Sequence, residues 1–180
     1  MDIQADAILV AADPTTAYIR VTGRGSFKGS PGMKQFGLAC IDNGCCRIIV
    51  DLKECIGMDS TFMGVLAGLA AALKKHGREG LTAINLSGKN YSLLETLGLT
   101  QLIKTHGTGD ISDHLCAGID TANTRLEPPS TDKHTITTTM LDAHETLVTL
   151  APANLPKFKD VLAYLKEDLN KLNHPVERKE

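Results

Sequence analysis

The sequence predicts an α/β fold: a mixed, mostly parallel sheet of four to five strands with helices packed on it, followed by a C-terminal helical hairpin. Three observations carry that expectation. Ile48-Ile49-Val50-Asp51-Leu52 is a short, mostly apolar run bounded by charged residues, the pattern of a strand buried on both faces. Soon after it, Asp59-Ser60-Thr61 opens an apolar helix. Met63, Leu66, Ala67, Ala70 and Leu73 recur there at three- and four-residue spacing, while Gly64, Gly68 and Ala71 leave a second face almost bare, so the helix can lie very close to a sheet. From the second strand onward, strand and helix patterns alternate with short connections, which makes the crossovers right-handed and the strands parallel.

Taken in order, residues 7–11 and 17–22 read as two short strands joined by Asp13-Pro14-Thr15, a turn in which proline fixes one dihedral. The second alternates Ala17, Ile19 and Val21 with Tyr18, Arg20 and Thr22, so it is expected to be half exposed and to form an antiparallel edge hairpin with the first. Gly23-Arg24-Gly25-Ser26-Phe27-Lys28-Gly29 is expected to be a flexible, locally basic loop. Ser30 reads as an N-cap with Pro31 at the first helical position, opening a helix through about Ile41 that stops at Asn43-Gly44.

After the central strand and its helix, which ends at His76-Gly77, residues 81–86 read as the next strand. Asn90 is placed as the cap of a helix carrying Tyr91, Leu94 and Leu97 and closed by Gly98; Leu102-Ile103 then reads as a short last strand. Residues 111–119 read as a last short helix with Leu115 and Ile119 inward, which closes a domain of residues 1–120. Residues 121–135, with Pro128-Pro129-Ser130, read as a linker.

The remaining residues, 136–180, are expected to form the hairpin, with helices over 138–150 and 152–173. On the second of these, Leu155, Phe158, Leu162, Leu165, Leu169 and Leu172 form an apolar stripe opposite a charged face. Two helices alone cannot hide such a stripe. It must be buried on the first domain, on a second copy in a homodimer, or on another partner.

Composition excludes several functions. Nineteen Lys and Arg against 21 Asp and Glu give a net charge of −2 over 180 residues, with 4% aromatics and no Trp. There is no basic stripe for nucleic acid and no electrostatic pull towards an anionic membrane. No apolar run approaches the about 18 residues of a membrane span. The start, Met-Asp-Ile-Gln-Ala-Asp, has no secretory pattern. Cys40, Cys45, Cys46, Cys55 and Cys116 are odd in number and lack metal spacing, as expected of reduced, mostly buried thiols in a cytoplasmic protein. The six histidines show no ligand pair, Gly23-x-Gly25 lacks the lysine of a phosphate cradle, and no Ser/His/Asp set assembles from local spacing. No metal, cofactor or enzymatic activity is expected.

Val50-Asp51-Leu52, Met58-Asp59-Ser60-Thr61, Gly64-Val65-Leu66 and Leu93-Leu94-Glu95-Thr96-Leu97-Gly98-Leu99, in this order of elements, resemble the STAS domain, named for sulfate transporters and anti-sigma factor antagonists. The resemblance covers roughly residues 5–120. It implies a fold of this kind and a regulatory surface at the strand, the Met-Asp-Ser segment and the helix that follows. It also implies that Ser60 is phosphorylated by a serine kinase that is itself an anti-sigma factor, with Asp59, Thr61, Phe62, Gly57, Arg24 and Ser26 in the partner-binding surface. Phe62 stands where the family usually has glycine, and Gly23-Arg24-Gly25-Ser26 stands where it commonly has acidic residues. Two other readings accompany this one: a constitutive dimerising scaffold in which Ser60 only caps a helix, and a small-molecule pocket at the helix mouth.

Overall fold

The computed structural model describes residues 5–111, 113–127 and 132–174. Its sheet has six strands among the described residues: β1 (Ala7–Ala12), β2 (Thr16–Gly25), β3 (Arg47–Met58), β4 (Gly80–Leu86), β5 (Lys104–Gly107) and β6 (Thr124–Arg125), in the order β5-β4-β3-β2-β1-β6. The β2, β3, β4 and β5 pairings are parallel, while β1 is antiparallel to both β2 and β6. The helices are α1 (Ser30–Asp42), α2 (Ser60–Lys75), α3 (Gly88–Thr96), α4 (Asp113–Cys116), α5 (Lys133–Leu150) and α6 (Leu155–Asn173).

Alternation along the strands divides the core. Ile19, Val21, Ile48, Val50, Leu52, Leu81 and Ala83 face one side and bury Met33 of α1, Phe62, Leu66, Leu69 and Leu73 of α2, and Leu94 of α3. On the opposite side Tyr18, Ile49 and Ile84 meet Ile119 and Ala122. That second layer corrects the expectation that β2 is half exposed: the chain after α4 folds over it in a 3-10 turn, Ile119–Thr121. A helix running through residues 111–119 does not form. Gly118 lies against the Tyr18 ring with no room for a Cβ, so the chain breaks there to pass over the ring.

Other boundaries shift for local reasons. The chain around Gly23 is not a loop, because β2 continues beside β3 with bulges as far as the Gly25–Met58 pair. Residues 124–125, expected in the linker, add a strand to β1, so β1 is not an edge. The Pro128-Pro129-Ser130 part of that linker lies outside the described residues. Ser87, not Asn90, caps α3 by accepting from Asn90 N at 3.2 Å; Asn90 is buried and its amide donates to Cys55 O at 2.8 Å. Gly29, not Ser30, is the N-cap of α1, and the Ser30 hydroxyl donates to Ser26 O at 2.9 Å. Leu102 and Ile103 both return their N–H groups to Leu99 O, closing a 3-10 turn just before β5.

The hairpin begins earlier than its apolar pattern suggests, because Asp132 caps α5 by accepting from His134 N and Thr135 N. It shares the domain's core: Ala143, Leu147 and Phe158 join the main cluster, with Leu162 packed against it. The bare face of α2 therefore meets α5 rather than the sheet, since a Cβ at Gly64 would sit 2.5 Å from Ala143 O. Polar contacts fix the joint. Asn154 Nδ2 donates to Leu97 O and Leu147 O at 3.0 and 2.9 Å, and Lys34 pairs with Asp142 at 2.6 Å. The stripe on α6 is turned inward at Phe158 and Leu165, while Leu155 remains half exposed.

Candidate functional site

The ends of β2 and β3 run side by side, so the chain leaving Gly25 and the mouth of α2 come together. Asp59 N donates to Gly25 O at 2.9 Å. Asp59 then uses both carboxylate oxygens: Oδ1 accepts from Phe62 N at 2.8 Å as the helix cap, and Oδ2 accepts from Phe27 N at 2.7 Å. One side chain thus caps α2 and holds the neighbouring loop on it. Phe27 is partly exposed beside it.

Ser60 is the first residue of α2 and is half-buried. Its Oγ lies 2.9 Å from Nε2 of His144, which comes from α5. Nδ1 of that ring is 2.7 Å from Met140 O. A carbonyl only accepts, so Nδ1 carries the proton, and in the neutral ring Nε2 accepts from the Ser60 hydroxyl. The imidazole is 3% exposed and stands edge-on to Phe158, with ring centroids 4.9 Å apart. Sequence spacing cannot show this pair, whose members are 84 positions apart.

The other expected site residues divide. Thr61 and Phe62 are 3% and 0% exposed, so the side chains expected in the docking face belong to the core. Phe62 lies flat under Gly25, where a Cβ would come within 2.8 Å of the ring. Gly57 is also buried, beside the amine of Lys89. Arg24 is exposed and Ser26 half-buried, and with Lys28, Arg125 and Asp6 they line an adjacent cleft of about 180 Å³.

Ser60 and His144 form a hydrogen-bonded hydroxyl and imidazole, but a main-chain carbonyl, not a carboxylate, orients the ring. The cavities along α5 are lined by residues such as Ala67, Lys74 and Glu145, or Leu38, Gly68 and Thr139, and include neither Ser60 nor His144. Among the described residues no group of three His, Cys, Asp or Glu side chains is placed to hold a metal ion, and no helix is long and apolar enough to cross a membrane. The described cysteines are free, and burial pushes the Cys40 thiol up to about 11 and raises Cys45 and Cys55. Such thiols are inert packing groups.

The mixed sheet and the helix seated at the end of its central strand make this a STAS-type fold. The chain matches the anti-sigma factor antagonist SpoIIAA in its unphosphorylated form with a TM-score of 0.51 and 15% identity, covering 63% of this chain and 96% of that one. An anti-sigma factor antagonist from Mycobacterium paratuberculosis matches with a TM-score of 0.51 and 16% identity, over 64% of this chain and 95% of that one. At these identities the likeness is one of fold. No protein-family model matches the chain, and no curated protein matches it in sequence.

Proposed function

We propose that this protein is a cytoplasmic regulator of the anti-sigma factor antagonist type, acting by switchable association with a serine kinase that is also an anti-sigma factor, with Ser60 as the phosphoacceptor. One observation carries the reading: in a STAS-type fold, the half-buried Ser60 occupies the first position of α2, at the positive end of the helix. Backbone N–H groups there tolerate an added dianion, so a phosphate leaves the sheet intact. The docking face would combine Asp59 and Ser60 with Phe27 and Ile56, both exposed, and the Arg24–Ser26 cleft. A phosphate adds between about −1.5 and −2 charges to it, which disfavours association by repulsion and desolvation.

Phosphopeptide mapping of the full chain with its cognate kinase is expected to find one phosphate, at Ser60, that is absent from Ser60→Ala. An unmodified Ser60, under conditions where the same kinase modifies a control antagonist, rules the reading out. The His144 contact favours a second reading, a constitutive interaction module whose Ser60 hydroxyl only ties α5 to α2. Under that reading Ser60→Glu leaves partner capture unchanged, whereas the switch predicts its loss.

A further inference from the structure

The hairpin reaches the mouth of α2 through His144 of α5, whose Nε2 lies 2.9 Å from the Ser60 hydroxyl oxygen. We propose that α5 and α6 form a phosphate-sensitive cover on this regulator: His144 latches it to Ser60, it lifts for Ser60 to be modified, and the phosphate then keeps it off. This rests on the reading of Ser60 as a phosphoacceptor.

The latch is fully committed. Nδ1 of His144 is held by Met140 O at 2.7 Å, and Nε2 faces Ser60 Oγ at 2.9 Å. The ring is 3% exposed and wedged edge-on against Phe158, so it has no alternative partner in solvent. A phosphoryl group on Oγ must either take the space the imidazole fills or swing the serine side chain away from it. The ester oxygen has no hydrogen to give, so either outcome ends the bond to Nε2 and leaves the lone pair of a neutral, buried ring without a donor or set against a dianion.

A small sideways shift of α5 cannot relieve this. One turn along α2 from Ser60, Gly64 meets the main chain of Ala143, so that a Cβ there would fall 2.5 Å from Ala143 O. The contact is with the main chain and the fixed Cβ of Ala143, with no flexible side chain to yield, so relief comes from α5 moving outward. In length, 63% of this chain already matches 96% of SpoIIAA, so a fold of this kind does not need a chain as long as this one. Lifting α5 takes Ala143, Leu147 and Phe158 out of the shared core, so the proposal requires the sheet to stay folded without them, and exchange in β3 and β4 reads that directly.

The test compares the full chain carrying phosphoserine installed at position 60 with the unmodified chain, by amide hydrogen exchange. Residues 136–150 are expected to exchange at least tenfold faster in the phosphorylated chain, with β3 and β4 unchanged. Equal protection of α5 in the two forms, with the phosphate verified by intact mass, overturns the proposal. Mapping of Ser60 after kinase treatment tests the reading separately, so each can fail alone. His144→Phe keeps an aromatic ring beside Phe158 and removes the latch; exchange in α5 is expected to rise about fivefold, the effect of one hydrogen bond of ordinary strength. Ser60→Ala removes the other partner with little change in volume and is expected to do the same. No increase in either variant also overturns it.

Discussion

At the mouth of α2 a single carboxylate does two jobs. Asp59 accepts from Phe62 N at 2.8 Å and from Phe27 N at 2.7 Å, which ties the helix start to the chain leaving β2. Replacing it with alanine removes a cap and a loop anchor together. Asp59→Ala is expected to lower stability by about 1–3 kcal/mol, by the usual worth of an N-cap plus a second hydrogen bond to a charged group. Urea unfolding measures this, and Asp59→Asn, which keeps one acceptor oxygen, is expected to lose about half as much. An unchanged midpoint in Asp59→Ala means that water replaces both bonds. Phe62, two residues after Ser60, shows why a residue cannot be assigned to a surface by position alone. It stands at the start of a helix that begins at the rim, yet it is 0% exposed because the bare Gly25 admits its ring beneath β2.

At the scale of the elements, the small residues along α2 were legible as a close-packing face, but not what would pack on them. A glycine pattern states a distance, and only the fold says which neighbour comes that near. Here it is α5, with Gly64 against Ala143. Gly64→Ala places a methyl group where the main chain of Ala143 now lies. The expected loss is about 1–3 kcal/mol, the range for overpacking, offset by at most about 1 kcal/mol from the better helix propensity of alanine. Hydrogen exchange localises it: the increase is expected in α5 rather than in β3. A uniform increase across both elements would show that the joint is not the weak point. The central strand and its helix were readable because a run like Ile48-Ile49-Val50 leaves few other choices. The boundary errors came from contacts distant in sequence or from competing caps. Arg125 and Thr124 form a strand only because β1 offers a free edge, and Ser87 outcompetes Asn90 as a cap because the amide of Asn90 is drawn inward to Cys55 O.

For the molecule as a whole, the sequence pointed to Ser60 but could not pair it with His144, since nothing in a lone histidine on an amphipathic helix marks what lies opposite. The response of the whole fold to pH follows instead from groups that titrate differently folded and unfolded. Asp13 is held below the ordinary carboxylate range first by the Thr15 backbone N–H, Asp132 by the Thr135 hydroxyl and Asp168 by Lys133. Such groups bind protons more weakly when folded, so their stabilisation is complete above the unfolded value of about 4 and is lost as pH falls through the folded values. On the alkaline side the order reverses. Burial first, and the neighbouring Cys45 second, push the Cys40 thiol from 9.0 up to about 11, and burial also raises Cys45, Cys55 and Tyr18. There the unfolded chain gives up its protons first, so stability is full below about pH 9 and declines as pH rises towards 11. Urea midpoints are expected to be level between about pH 5 and 8 and to fall on both sides. Cys40→Ala is expected to make the alkaline fall shallower and to leave the acid fall unchanged, whatever its effect on the plateau. An alkaline limb of the same steepness in Cys40→Ala and the unmodified chain would mean that the Cys40 thiol reaches solvent, and that the packing of α1 beside β2 is looser than its burial implies.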